Sequence, residues 1–392
     1  MSDSGVDLGE LAARLRAALD REISGAVQLR HELHAGAEVS GAEHRTSARM
    51  AAALGDPDAA VLGGTGRLIR IGPPDGPSIA VRAELDALPI TELTGVPWAA
   101  PPGAMHACGH DVHLAALAAV GRAARQVKLP TALLAVLQPR EEGFPSGARD
   151  LVAAPEFGAH QPQAVLAVHI QHQLPPGTVA AVPGTVNAAA DEFEIRIDGT
   201  GGHAGYPHLA ADPVPALCQT VLALQQIVSR RTDPTHAVVV SVGALAAGDA
   251  PNVIPPSAHA RGTLRALDEA DRPGLHEALR EVVTHTARAH GCQGSVTIFE
   301  GEPALVNDEK LAAAVLPWLH AAELPAGPGF RSCGADDFAI YAQAAPTLMI
   351  FAGAGGDVTL HHPRFLPEDD SVRVVADAML AGYLAALASM LT

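Results

Sequence analysis

The chain has 392 residues and a formal net charge of −17, with no basic stripe interleaved with aromatics, so nucleic acid and an anionic membrane surface are not expected partners. Its length exceeds one typical core, which predicts two domains. Four scattered cysteines, Cys108, Cys218, Cys292 and Cys333, suit free thiols in a reducing cytoplasm better than a disulfide framework.

The opening stretch MSDSGVDLGELAARLRAALD has no basic start followed by an apolar run, so no secretory signal is expected. A long helix is predicted over DLGELAARLRAALDREISGAVQLRHELHA, with Asp7 as cap and Glu10 in the capping-box position. The apolar runs SIAVRAEL, TALLAVLQP and QAVLAVHI read as buried parallel strands, with the helical pattern HLAALAAVGRAARQV between the first two. The middle of the chain changes character. DEFEIRID alternates like a strand with one wet face, and DPVPALCQTVLALQQIVSR follows as a helix. Strands HAVVVSVGAL and SAHARGTLRAL, the helix EADRPGLHEALREVVTHTARAH and the strand GSVTIFE complete a βαββαβ order. That order predicts a ferredoxin-like α+β domain over 187–301. It is inserted into an α/β domain built from 1–186 and 302–392, with a mostly parallel central sheet and helices on both faces. A fourth buried strand, PTLMIFAG, follows the insertion. The closing VRVVADAMLAGYLAALASMLT is expected to be a core helix, since Asp377 interrupts it and its apolar residues recur at helical spacing.

Chemistry gathers where the strands end. SIAVRAEL runs into Glu84 and Asp86, TALLAVLQP into Glu141 and Glu142, and QAVLAVHI finishes on His169. PTLMIFAG leads through a glycine loop to His361 and His362, and MHACGHDVH precedes a helix that can reach the same edge. In open α/β sheets the functional crevice lies outside the carboxyl ends of the strands. A glycine turn between Cys108 and His110 can aim both at one ion. Thiolate, imidazole and carboxylate together suit a divalent transition metal such as zinc, manganese, cobalt or nickel. Of two adjacent glutamates, one can bind metal while the other takes a proton from metal-activated water, which implies hydrolysis of an amide. His106, His113, His172 and His362 flank these positions as supporting or surface groups. The remaining histidines, with Cys218 and Cys292, read as structural.

The motifs MHACGHDVH, RAELDALPI, LQPREEG, GGHAGYPH, NVIP, GTLR and LHHPRF occur in order from about Leu29 to Asp370. Together they resemble the metal-dependent amidohydrolases that include hippurate hydrolase, auxin-conjugate hydrolases and N-acyl-amino-acid aminoacylases. The resemblance implies a catalytic α/β domain with a dinuclear metal site and an inserted lid domain. It implies Cys108, His110, Glu142, His169 and His361 as ligands, the thiolate bridging two divalent ions, with Glu141 as general base and Asp86 as an orienter. It also implies His203 as the oxyanion-stabilising group, donated across a homodimer formed through the lid. Asn252 and Arg265 would hold the substrate carboxylate. Departures from the pattern are AGAE around Glu38, Glu84 in place of an aspartate, Arg140 before the glutamate pair, Phe144 and Pro145 after it, and Asp336–Asp337. Arg140 is expected to favour an acidic acyl group, to lower the pKa of Glu141, or simply to point to solvent. The expected reaction is cleavage of an N-acyl amino acid or a similar small amide. A dipeptidase or carboxypeptidase using the same dinuclear site is the second reading. A protein that captures conjugates without cleaving them is the third, and the spare glutamate speaks against it.

Overall fold

The computed structural model describes residues 7–391, so residues 1–6, part of the stretch read for a targeting signal, lie outside the described residues. The chain divides into two compact units. The first runs to Gly184 and takes in Val306–Phe330 and the chain from Asp337 onward. The second comprises Thr185–Leu305 and the short segment Arg331–Asp336.

A seven-stranded sheet forms the centre of the first unit, in the order Val61–Leu62, Gly66–Ile71, Ala132–Gln138, Ser78–Glu84, Pro162–Gln171, Thr347–Gly353, Val179–Ala180. The four apolar runs singled out in the sequence are its four central strands, and they are mutually parallel. Every residue of Ser78–Glu84, Ala132–Gln138 and Thr347–Gly353 is buried, as a parallel sheet covered on both faces requires. Ile79, Val81 and Ala83 point into a core shared with the helices Leu8–Ala35, His110–Arg125 and Asp370–Leu391. The intervening Arg82 is also buried. Its guanidinium donates to Gln138 Oε1 and Asp337 Oδ1, each at 2.9 Å, and pairs with Glu84. It also lies 5.7 Å from the centre of the Phe338 ring.

The first helix begins as expected, with the Asp7 carboxylate accepting from the Glu10 N–H at 3.0 Å. Further along it, Arg30 and His34 both bond the buried Asp111 at 3.0 Å. These bonds tie the long helix to the first turn of His110–Arg125. Among the described residues, Asp370–Leu391 alone is long and apolar enough to cross a membrane, but most of it is buried inside the unit, so it is a core helix.

The second unit has a four-stranded antiparallel sheet in the order Val238–Ala247, Ser257–Ala266, Ala189–Asp198, Gln293–Glu300. This is the ferredoxin-like arrangement. Phe193, Ile195 and Ile197 pack with residues of the helices Pro213–Gln226 and Arg272–Ala289, while Glu192, Glu194 and Arg196 alternate to the exposed face. Two features carry no sequence signal. A two-stranded ribbon pairs Gly202–His203 with Val253–Ile254. The segment Arg331–Asp336 joins this unit, where Ser332 bridges to Asn187.

Candidate metal centre

Gly109 precedes the helix His110–Arg125 in a left-handed conformation, φ 84°. Only glycine adopts that geometry without a steric cost, and it lets Cys108 and His110 face one point. The ligand atoms of Cys108, His110 and His169 lie within 4.8 Å of one another. So do those of Cys108, Glu142 and His361, and those of His110, Glu141 and Glu142. Two donor groups therefore meet at the Cys108 sulfur, with both glutamates beside them. His361 is itself in the left-handed region, φ 63°. Its N–H donates to the Ala107 carbonyl at 2.8 Å, and its Nε2 lies 3.1 Å from Glu142 Oε1.

Hydrogen bonds fix the imidazole tautomers. His110 Nδ1 donates to the Asp86 carbonyl at 2.8 Å, which leaves its Nε2 as a lone pair. That Nε2 is buried and has no hydrogen-bond partner, a costly condition that a cation relieves. His169 Nδ1 donates to the Ile170 carbonyl at 2.6 Å, turning Nε2 to within 3.5 Å of the Cys108 sulfur. Burial pushes the Cys108 thiol well above its usual range, and the carboxylates of Glu142, Glu141 and Glu84 add to that. A thiolate here therefore needs a bound cation. Burial works against charge on His110, but Glu84, Asp86 and Glu142 outweigh it and raise its pKa. One sulfur, three imidazoles and a carboxylate fit two divalent transition cations.

Glu84, His110 and His113 also lie close enough to suggest a ligand set. His113 is not available for it. Its Nδ1 donates to Glu84 Oε2 at 2.9 Å, and its Nε2 accepts from the Ile170 N–H at 3.0 Å. Both ring nitrogens are used, so His113 and Glu84 support the strand that carries His169.

Asp86 holds the loop beneath the glutamates. Its Oδ1 accepts from the Glu141 N–H at 3.1 Å, and its Oδ2 accepts from the Glu142 N–H at 2.9 Å and the Ser40 hydroxyl at 2.6 Å. Arg140 stands just before the glutamate pair. Its φ is 49° and its guanidinium is paired with Asp150. Phe144 is 74% exposed.

His203, Asn252 and Arg265 belong to the second unit. The Gly205 N–H donates to His203 Nδ1 at 2.9 Å, so the ring proton resides on Nε2. Asn252 sits on the facing arm of the same ribbon, where its carbonyl accepts from the Ala204 N–H at 3.1 Å. Arg265 lies near the end of Ser257–Ala266, opposite Ala190 and Val239. Sequence reasoning missed Ser40 and Glu43. Ser40 bonds the Asp86 carboxylate and Glu43 the Arg140 peptide, both far away in the chain, and no local pattern marks them.

The family signature of Peptidase family M20/M25/M40 matches residues 80–387. The chain belongs to that family. Over 366 residues it is 34% identical to an N-acetylcysteine deacetylase of Bacillus subtilis, covering 89% of this chain and 93% of that one. It is 34% identical over 329 residues to an N-acetyldiaminopimelate deacetylase of Halalkalibacterium halodurans, covering 82% and 87% of the two chains. A crystal structure of a Bacillus subtilis protein, described as a dinuclear metal binding peptidase from the M20 family, superposes with a TM-score of 0.82. That pair is 29% identical, with 95% of this chain and 100% of the other covered. This member of the family is a metal-dependent amidohydrolase acting on linear amides.

Proposed function

We propose that this enzyme hydrolyses the amide of an N-acyl amino acid, releasing a carboxylic acid and the free amino acid. The observation that carries the reading is the meeting of two donor groups at Cys108 with a further carboxylate, Glu141, in the same cluster. The two deacetylases named above support the substrate class, since both names specify an N-acetylated amino acid. Cys108, His110, Glu142, His169 and His361 would hold two divalent ions drawn from manganese, zinc, cobalt and nickel. When bound, these supply Lewis acidity and acidify water. Glu141, its Oε2 3.7 Å from His110 Nε2, takes the proton of the attacking water and returns it to the leaving amine. The Asp86 carboxylate holds the Glu141 peptide while this happens. His203 offers its Nε2 proton to the tetrahedral oxyanion. Asn252 and Arg265 take the substrate carboxylate, for which a guanidinium fork is suited.

The test is a panel of N-acetyl and N-benzoyl amino acids against dipeptides, with the chelator-stripped enzyme reloaded separately with each of the four metals. Preferential turnover of N-acyl amino acids is expected. Preferential turnover of dipeptides would replace this reading with the dipeptidase one.

The dimer is also a proposal. The edge strand Val238–Ala247 exposes Leu245 to 52%, and helix Pro213–Gln226 exposes Leu222 to 70%. Both suit pairing with a second copy through the smaller unit. Sedimentation equilibrium should give two chains per particle, and a fully active monomer would rule out a His203 donated by a partner. All four cysteines are unpaired, which supports a cytoplasmic setting.

A further inference from the structure

Glu43 occupies the N-cap position of helix His44–Ala53, where an acidic side chain ordinarily bonds the first free N–H groups of its own helix. It makes no such bond. Its residue is fully buried, and its carboxylate turns away from the helix. Oε1 accepts from the Gly41 N–H at 2.7 Å and from the Arg140 N–H at 3.0 Å, and Oε2 accepts from the Thr65 hydroxyl at 2.8 Å. Among the described residues it forms no ion pair. Burying a carboxylate on neutral donors alone is expensive, so what those donors hold in place matters.

Arg140 is the residue before Glu141, and its left-handed φ of 49° is strained for a side chain of its size. Such a conformation persists only where its surroundings enforce it. Here the Arg140 carbonyl accepts from the Gly147 N–H at 3.2 Å, and its N–H is held by Glu43. Three consecutive peptide N–H groups, those of Arg140, Glu141 and Glu142, therefore end on two buried carboxylates, Glu43 and Asp86. Ser40 links the same segment to Asp86. The connection between the first two helices thus forms the seat of the glutamate loop.

We propose that Glu43 is a positioning residue for Glu141, acting through the Arg140 peptide to hold the base in its working geometry; this rests on the hydrolase reading above. Glu43→Ala removes the acceptor, and Glu43→Gln keeps an oxygen able to occupy the Oε1 position. Thr65→Val removes the third hydrogen bond of the same carboxylate without touching the glutamate loop. Each variant is measured for kcat and KM on N-acetyl amino acids, for bound metal and for melting temperature. Glu43→Ala is expected to lose roughly ten- to a hundredfold in kcat, the scale of an ångström-sized misplacement of a catalytic group. Its KM and metal content should stay unchanged. Glu43→Gln should recover most of the turnover. Thr65→Val should lower the melting temperature and leave kcat alone. Adding Arg140→Gly to Glu43→Ala should restore turnover in part, because glycine accepts the left-handed turn without enforcement, while the melting temperature stays low. Wild-type kcat in Glu43→Ala would overturn the proposal. So would a kcat loss in Thr65→Val of the same size, which would mark the carboxylate as fold support only. An inactive Glu141→Gln beside a fully active Glu43→Ala would remove this inference and leave the hydrolase reading standing.

Discussion

Glu141→Gln is expected to retain its cations and lose about a hundred- to ten-thousandfold in kcat, the range that a positioned general base contributes. The amide keeps the size of the side chain and its place in the loop, because Asp86 holds the Glu141 N–H from outside the substitution. It has no basic oxygen for the proton of water and none to return to the leaving amine. Glu142 cannot take over, since its Oε1 faces His361 at 3.1 Å and its ligand atom clusters with the Cys108 sulfur. Steady-state kinetics alongside metal analysis gives the answer. A Glu141→Gln enzyme with near-normal turnover would place the base elsewhere.

Arg82→Met is expected to cost about 3–5 kcal/mol of stability, as removal of one partner from a buried ion cluster does. Arg82 is buried in the central sheet between two buried carboxylates, Glu84 and Asp337. Burial opposes charge on Glu84, yet the neighbouring Arg82 and His113 hold its carboxyl well below the usual carboxylate range. Without the guanidinium, Glu84 must take up a proton or stay charged and uncompensated. Either outcome disturbs the bond from His113 Nδ1 and, through His113, the Ile170 N–H next to the proposed ligand His169. The variant should therefore unfold at lower urea and bind metal more weakly. A wild-type urea midpoint would show that the cluster contributes nothing net.

The central strands were legible because parallel strands covered on both faces read as unbroken apolar runs. Gly66–Ile71 was not, since its arginines interrupt the pattern and it pairs antiparallel at the outer side of Ala132–Gln138. The candidate ligand cluster was legible for a related reason: its members stand at or beyond the carboxyl ends of the central strands or at a glycine turn. Its supports were not. Glu43 reaches a peptide group 97 residues away and Ser40 a carboxylate 46 residues away. Partners that distant leave no local spacing to detect. The pairing of Arg140 with Asp150 likewise had no signal in the sequence. Arg331–Asp336 joins the smaller unit through backbone hydrogen bonds such as those of Ser332 with Val186 and Ala188, and carries no periodicity of its own.

On the proposed reading, Cys108, His110, Glu142, His169 and His361 together hold two cations on which turnover depends. Elemental analysis of the purified chain, before and after chelation and for His110→Ala, measures this directly. Two divalent ions per chain, loss of turnover on stripping, recovery on reloading and a clear loss of metal in His110→Ala are expected. A stripped chain that still cleaves N-acyl amino acids at the full rate, or a native chain that binds no divalent ion, would contradict it.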